Sequence, residues 1–210
     1  MSQQESTPPV TQRWLSNAQM RLALLVFEIL LERNGQVAVL HLAGLERYID
    51  QLPPDNERAE IPRGDIIALF AGVVSMFGDQ GARGVFRRWG RAFAERRLNR
   101  HPALRLMRIG LRLLPAERSA KLALARLLHH IDLDRANPHA PLEDDGEYYR
   151  LMLSQCLYCH DLSHTQPNSL IAIGLIEGLL RWATGHDYDV NQDAPDTMAF
   201  KIRKRPIGPR

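Results

Sequence analysis

The residues best suited to chemistry are the two cysteines, which lie in the string Cys156-Leu157-Tyr158-Cys159-His160. Thiolates and imidazoles are preferred zinc ligands, and a tetrahedral site needs four such groups. The candidate set is Cys156, Cys159, His160 and His164. The same string is the attachment signature of c-type haem. A dithiol redox pair is a further alternative.

The competing interpretation is that both cysteines are buried thiols, which pack as small hydrophobic side chains. The chain has no second Cys-x-x-Cys pair to complete a zinc site. Covalent haem needs export to a maturation compartment, and the amino terminus lacks the layout of a signal peptide. The pattern therefore favours buried thiols, keeps zinc as the alternative cofactor, and disfavours covalent haem.

Composition is that of an ordinary soluble globular protein. The chain has 210 residues, of which 45% are hydrophobic and 24% charged, with a formal net charge of +3. Two cysteines do not build a disulfide framework. No uncharged apolar run is long enough to span a membrane. We therefore expect a cytoplasmic protein.

Proline, glycine and apolar periodicity divide the chain into three parts. Residues 1–16 are polar and contain paired prolines, so we expect a disordered tail. Residues 17–135 show helical periodicity, with a stop signal at Asn34-Gly35. Residues 136–206 show strand patterns around one helix, and we expect them to form one domain with the helices. The predicted fold class is α+β, with an N-terminal helical bundle packed on a small antiparallel sheet and one long C-terminal helix.

Three glycines at spacing three, Gly78, Gly81 and Gly84, superficially resemble a phosphate-binding loop. A phosphate loop follows a strand and carries Gly-Lys-Ser/Thr, whereas this segment follows a predicted helix and lacks that signature. We expect a break in the helical pattern at Gly78, and close helix packing along the three glycines.

Arginine is concentrated in the predicted helices. Eleven arginines lie between positions 83 and 118, against two acidic residues. Arg87 and Arg91 share a helical face, which fits an acidic ligand group or an anionic membrane surface. A solvated or dimer-contacting face is the alternative. The chain shows no helix-turn-helix or other reader motif, so we expect no sequence-specific nucleic-acid binding.

Over residues 145–206 the order of motifs resembles the 4-vinyl reductase-type small-molecule-binding domain. That order is a strand, Cys-x-x-Cys, a glycine-punctuated helix and two short strands. The matching residues are Cys156, Cys159, Gly174, Gly178, Trp182, Tyr188, Val190, Phe200, Ile202, Lys204 and Pro206. Gly44, Tyr48 and the segment 78–84 extend the resemblance into the helical part. This family is related to the ligand-binding folds of TRAPP subunits and haem nitric-oxide sensors.

The resemblance implies non-catalytic binding or sensing of a hydrophobic small molecule, such as a lipid, an aromatic compound or a tetrapyrrole, between helices and sheet. It also implies a homodimer and a separate signalling partner. Some relatives place further metal ligands where this chain has Ser169, Ala194 and Met198. Two alternatives stay open: an enzyme or accessory factor of a tetrapyrrole pathway, and a module that docks to a membrane or partner through the arginine-rich helices.

Within such a domain we expect a largely apolar pocket with a few polar groups that orient the ligand. Its expected lining is Phe70, Val74, Phe77, Phe86, Trp89, Tyr158 and Trp182. Arg87 and Arg91 are the expected polar or anion contacts. The alternative for each apolar residue is a place in the core. No acid, base or nucleophile occurs at a defined spacing, so we assign no catalytic residue.

Overall fold

A computed structural model describes residues 14–134, 141–154, 156–158, 167–193 and 197–207. The helices are α1 Asn17–Leu42, α2 Arg47–Asp50, α3 Arg63–Asn99, α4 Pro102–Leu113, α5 Ala116–Arg126 and α6 Pro167–Thr184. A 3₁₀ turn covers Leu128–Ile131. The strands are β1 Trp14–Ser16, β2 Ala59–Pro62, β3 Leu142–Asp145, β4 Tyr148–Met152, β5 Val190–Gln192 and β6 Ala199–Arg203. The predicted α+β class is confirmed.

The larger sheet is antiparallel throughout, with strand order β3-β4-β6-β5. Its central pair sets Tyr149 opposite Ile202, and alternate side chains along both strands are buried. The hydroxyl of Tyr149 donates to the carbonyl of Glu117 at 3.3 Å, and that of Tyr188 donates to the carbonyl of Ala116 at 3.1 Å. The sheet therefore lies against the first residues of α5.

The N-terminal tail predicted over residues 1–16 extends too far, because β1 pairs with β2 at its end. Leu15 is completely buried, and its burial holds this segment in the fold. Ser16 caps α1 by accepting a hydrogen bond from the backbone of Gln19, whose side chain accepts in return from the backbone of Ser16. Residues 1–13 lie outside the described part of the chain.

Two long helices are interrupted by a single residue of positive φ. In α3 this residue is Gly78, with φ of 64°, and the predicted break there is confirmed. In α1 it is Glu32, with φ of 59°. The predicted stop at Asn34-Gly35 was wrong by two residues, because the helix resumes after Glu32 and runs through both residues.

The main helix packing is that of α3 against α6, and it depends on glycine. A Cβ atom on Gly90 would lie 2.6 Å from the carbonyl oxygen of Ile171, and one on Gly178 would lie 2.5 Å from that of Arg91. A Cβ atom on Gly174 would lie still closer to the carbonyl oxygen of Arg87. The close packing predicted along Gly78, Gly81 and Gly84 was wrong, since a Cβ there would meet no other element in the described structure.

Among the described residues, one helix, α3, is long and apolar enough to cross a membrane by length and composition. The same helix supplies fully buried rings to the interior, including Phe70, Trp89 and Phe93. It also contacts α1 and α6. These features are compatible with the core helix of a soluble protein.

Candidate functional site

Six buried aromatic rings touch one another in the interior, and we call them the aromatic cluster. Its members are Phe27 of α1, Phe70, Phe86, Trp89 and Phe93 of α3, and Tyr158. Ring centroids lie 5.1 Å apart for Phe70 and Trp89, and 5.3 Å apart for Phe93 and Tyr158. Edge-to-face contacts of this kind add to the stabilisation from burial. The structure therefore brings together four predicted pocket residues: Phe70, Phe86, Trp89 and Tyr158.

The other three predicted pocket residues lie elsewhere. Val74 is half-buried and Phe77 is 39% exposed, both just before the break at Gly78. Trp182 is buried on α6, where its indole Nε1 donates to Oδ1 of Asn99 at 2.8 Å. Val74, Phe77 and Trp182 make no ring contact with the aromatic cluster in the described structure.

Arg87 and Arg91, the predicted anion contacts, bond a carboxylate of the protein itself. Nε of Arg87 lies 3.1 and 3.0 Å from the two oxygens of Glu177, and Nε of Arg91 lies 2.6 Å from Oε2. Glu177 is only 4% exposed on α6. The hydrogen bond to Glu177 raises the pKa of Arg87. Both arginines therefore join α3 to α6.

A buried polar group adjoins the aromatic cluster, and we call it the Arg97 network. The hydroxyl of Tyr158 donates to Oδ2 of Asp132 at 2.7 Å. Arg97, 5% exposed, donates from Nη1 to Oε1 of Glu57 at 3.0 Å. Burial alone lowers the pKa of Arg97, but the charge of Asp132 and the bond to Glu57 outweigh burial and raise it. Nε of Arg97 has no hydrogen-bond partner among the described residues.

Sequence reasoning missed Arg97 and Asp132. A signal for Arg97 was present, because it follows Phe86, Trp89 and Phe93 at helical spacing and so lies on the apolar face of α3. An arginine in an apolar stripe is expected to need a buried partner.

Asp132 and Asp134 are buried and have left-handed backbone conformations, with φ of 62° and 51°. Such conformations cost free energy for residues other than glycine, and they concentrate at functional sites. Oδ1 of Asp134 accepts from the backbone N–H of Ser154 at 3.2 Å. The backbone of Leu133, between the two aspartates, forms a β-bridge with Cys156. The two aspartates thus position the segment that carries Tyr158.

Three imidazole rings lie beside this network. The ring centroids of His129 and His130 are 3.9 Å apart, and those of His101 and His130 are 5.8 Å apart. Burial, followed by repulsion from His129, His101 and Arg97, lowers the pKa of His130 to about 4. His130 is therefore neutral at neutral pH.

Of the predicted metal ligands, the structure describes Cys156 alone. Its side chain is 4% exposed, but it is disulfide-bonded, so the predicted buried thiol is wrong at Cys156 and the sulfur is not a thiolate in this state. Cys159, His160 and His164 lie outside the described residues. No group of three or more histidine, cysteine, aspartate or glutamate side chains suited to a metal ion occurs in the described ranges.

An open groove of about 490 Å³ lies on the outer side of the α3 turn that buries Arg97. Its lining is Leu22, Leu25 and Ile29 of α1, Asp55, and Arg96, Asn99 and Arg100. Residues 96–100 thus face the groove on one side and the Arg97 network on the other. The groove is apolar along α1, and its opposite side has the exposed Arg96 and the ion pair of Arg100 with Asp55.

No family model and no curated protein sequence matches this chain. The resemblance to the 4-vinyl reductase-type domain therefore stays a prediction. The aromatic cluster and the Arg97 network are the features of the described structure that could form a binding site.

Proposed function

We propose that this protein binds a hydrophobic small molecule, without catalysis, where the aromatic cluster meets the Arg97 network. The observation that carries the proposal is the position of Tyr158, whose ring belongs to the aromatic cluster and whose hydroxyl bonds Asp132. Apolar walls with a few oriented polar groups are typical of small-molecule sites.

Arg97 defines the chemistry of the ligand. A buried N–H without an acceptor costs about 1–3 kcal/mol, so an acceptor brought by a ligand is favoured at Nε. The expected ligand has an aromatic or acyl body and an acidic or acceptor group. Because the rings are in mutual contact, binding requires the aromatic cluster to open at its Tyr158 edge.

The resemblance of residues 145–206 to the 4-vinyl reductase-type domain supports the same function, since proteins of this type hold apolar molecules between helices and sheet. The proposal extends to a cytoplasmic homodimer that signals to a separate partner when its ligand binds. Size-exclusion chromatography with light scattering tests the dimer.

The test uses 8-anilinonaphthalene-1-sulfonate, a fluorescent probe with an aromatic body and an anionic group. We expect saturable binding to the folded protein, competed by palmitate or by protoporphyrin IX. Tyr158→Phe and Arg97→Gln should each weaken binding about tenfold, the loss expected for one hydrogen bond to a charged group. Arg96→Gln is the matched control, because Arg96 is the exposed neighbour of Arg97.

Near-ultraviolet circular dichroism distinguishes a pocket from loosened packing, because a partly unfolded chain also binds this probe. Equal affinity in Tyr158→Phe, Arg97→Gln and Arg96→Gln, all with native spectra, would contradict the proposal. A Soret band in the purified protein would favour the tetrapyrrole alternative.

A further inference from the structure

Helix α4 has two apolar faces, and the described residues cover only one of them. Leu104 and Leu111 point inward and are 7% and 8% exposed. Leu106, Ile109 and Leu113 are 72%, 61% and 83% exposed. These last three residues follow the helical period and form one stripe opposite the buried pair. We call them the outer stripe.

One flank of the outer stripe is cationic. Arg105, Arg108 and Arg112 recur at the same helical spacing beside it, and α4 contains no acidic residue. Nε of Arg108 donates to the carbonyl oxygen of Trp182 at 3.1 Å. This bond and the burial of Leu104 and Leu111 fix the rotation of α4, so the outer stripe faces away from the core.

We propose that α4 lies flat on an anionic lipid bilayer, with the outer stripe in the boundary between headgroups and acyl chains. Helices that bind in this way combine large apolar side chains on one face with arginine or lysine beside them. Basic groups near an anionic leaflet add to the attraction of the buried apolar surface. The membrane contact is independent of the small-molecule site.

Charge favours a bilayer over a second copy of the chain as the occupant. A two-fold pairing of the outer stripes would bring together two α4 helices that have three arginines each and no acidic residue. Like charges placed together in this way oppose association. An anionic bilayer instead supplies phosphate groups beside the outer stripe, where Arg105 is exposed.

The placement also distinguishes α4 from the face with Arg87 and Arg91. Those two arginines bond the buried Glu177, whereas Arg105 has no ion pair in the part of the chain that the structure describes. A membrane contact that depends on arginine should therefore map to α4 and not to the middle of α3.

Vesicle flotation tests the proposal with the full chain. We expect the protein to float with vesicles of phosphatidylcholine and phosphatidylglycerol, to float far less with phosphatidylcholine alone, and to be released by salt. The double variant Leu106→Ser/Ile109→Ser should lose about tenfold or more in partitioning, because it removes two large apolar groups from the contact. Met152→Ser is the matched control, since Met152 is 55% exposed on β4.

The electrostatic part is tested by Arg105→Glu against Arg88→Glu, an exposed arginine of α3. Arg105→Glu should weaken binding to the mixed vesicles, and Arg88→Glu should leave it unchanged. Failure of the wild type to float, or equal flotation of all variants, would overturn the proposal. If Leu106→Ser/Ile109→Ser instead converts a dimer to a monomer, the occupant is a second copy and the membrane proposal is wrong.

Discussion

At the scale of the residue, Tyr158 joins the apolar and charged parts of the interior. Its ring contacts Trp89 and Phe93, and its hydroxyl donates to Asp132. Asp132 in turn lies close enough to Arg97 for its charge to raise the pKa of the guanidinium. A single phenol therefore couples ring packing to the buried charges.

Loss of the Tyr158 hydroxyl should cost more than loss of another buried tyrosine hydroxyl. Tyr158→Phe is expected to lower the free energy of unfolding by about 1.5–3 kcal/mol, because its partner is a carboxylate. Tyr149→Phe is the matched control with an expected cost of about 0.5–1.5 kcal/mol, because Tyr149 donates to a backbone carbonyl. Urea denaturation measures both values, and equal costs would contradict the role given to Asp132.

His130 should make stability depend on pH. Its pKa falls from the ordinary 6.5 to about 4 because of burial and of the neighbouring His129, His101 and Arg97, while Asp132 opposes the shift. Between these two pH values the unfolded chain binds a proton that the folded chain does not. Stability is therefore complete above the ordinary pKa of histidine and is lost as the pH falls toward about 4.

After allowance for partial solvent screening, the contribution of His130 is on the order of 1 kcal/mol. Urea denaturation of the wild type at neutral pH and at mildly acidic pH should show this loss. His130→Gln should reduce the difference between the two conditions. An unchanged difference would show that other groups carry the pH dependence.

The residues of the aromatic cluster could be predicted from the sequence because aromatic side chains recur at helical spacing. The helical spacing also gave a signal for Arg97 on the apolar face of α3, but its partners Glu57 and Asp132 could not be predicted, because they lie far away along the chain. Asp132 gave no signal, since a left-handed backbone and a distant phenol partner are products of the tertiary fold.

At the scale of the element, the crossing of α3 and α6 is set by the absence of side chains. Gly90, Gly174 and Gly178 let the two backbones come close enough to exclude a Cβ atom. The ion pairs of Arg87 and Arg91 with Glu177 lie at the same crossing. The glycine pattern of α6 was visible in the sequence. The part of α3 that packs against it could not be predicted, because α3 contains several glycines and the sequence does not show which of them contacts α6.

Two glycine-to-alanine substitutions should have opposite effects. Gly174→Ala is expected to destabilise the protein by about 1–3 kcal/mol or more, because its methyl group would overlap the backbone of α3. Gly84→Ala should stabilise by about 0.5–1 kcal/mol, since it adds helix propensity where nothing described lies within 4 Å. Thermal and urea unfolding test the pair. Similar effects at both positions would contradict the close contact.

At the scale of the whole molecule, the arginines of the arginine-rich stretch have different structural roles. Arg87 and Arg91 stabilise the α3–α6 crossing, Arg97 lies in the buried network, and Arg105 borders the outer stripe of α4. The sequence predicted the overall α+β class correctly, because helical and strand periods are local properties. The sequence could not show which partner each arginine has, because those partners lie far away along the chain.

The most direct test of small-molecule binding is native mass spectrometry of the purified full chain, followed by identification of whatever is released. We predict a non-covalent hydrophobic molecule with an acidic or acceptor group, retained in Arg96→Gln and depleted in Arg97→Gln and Tyr158→Phe. A bare polypeptide mass in every variant, together with no saturable binding of the naphthalene sulfonate probe, would contradict the proposed function.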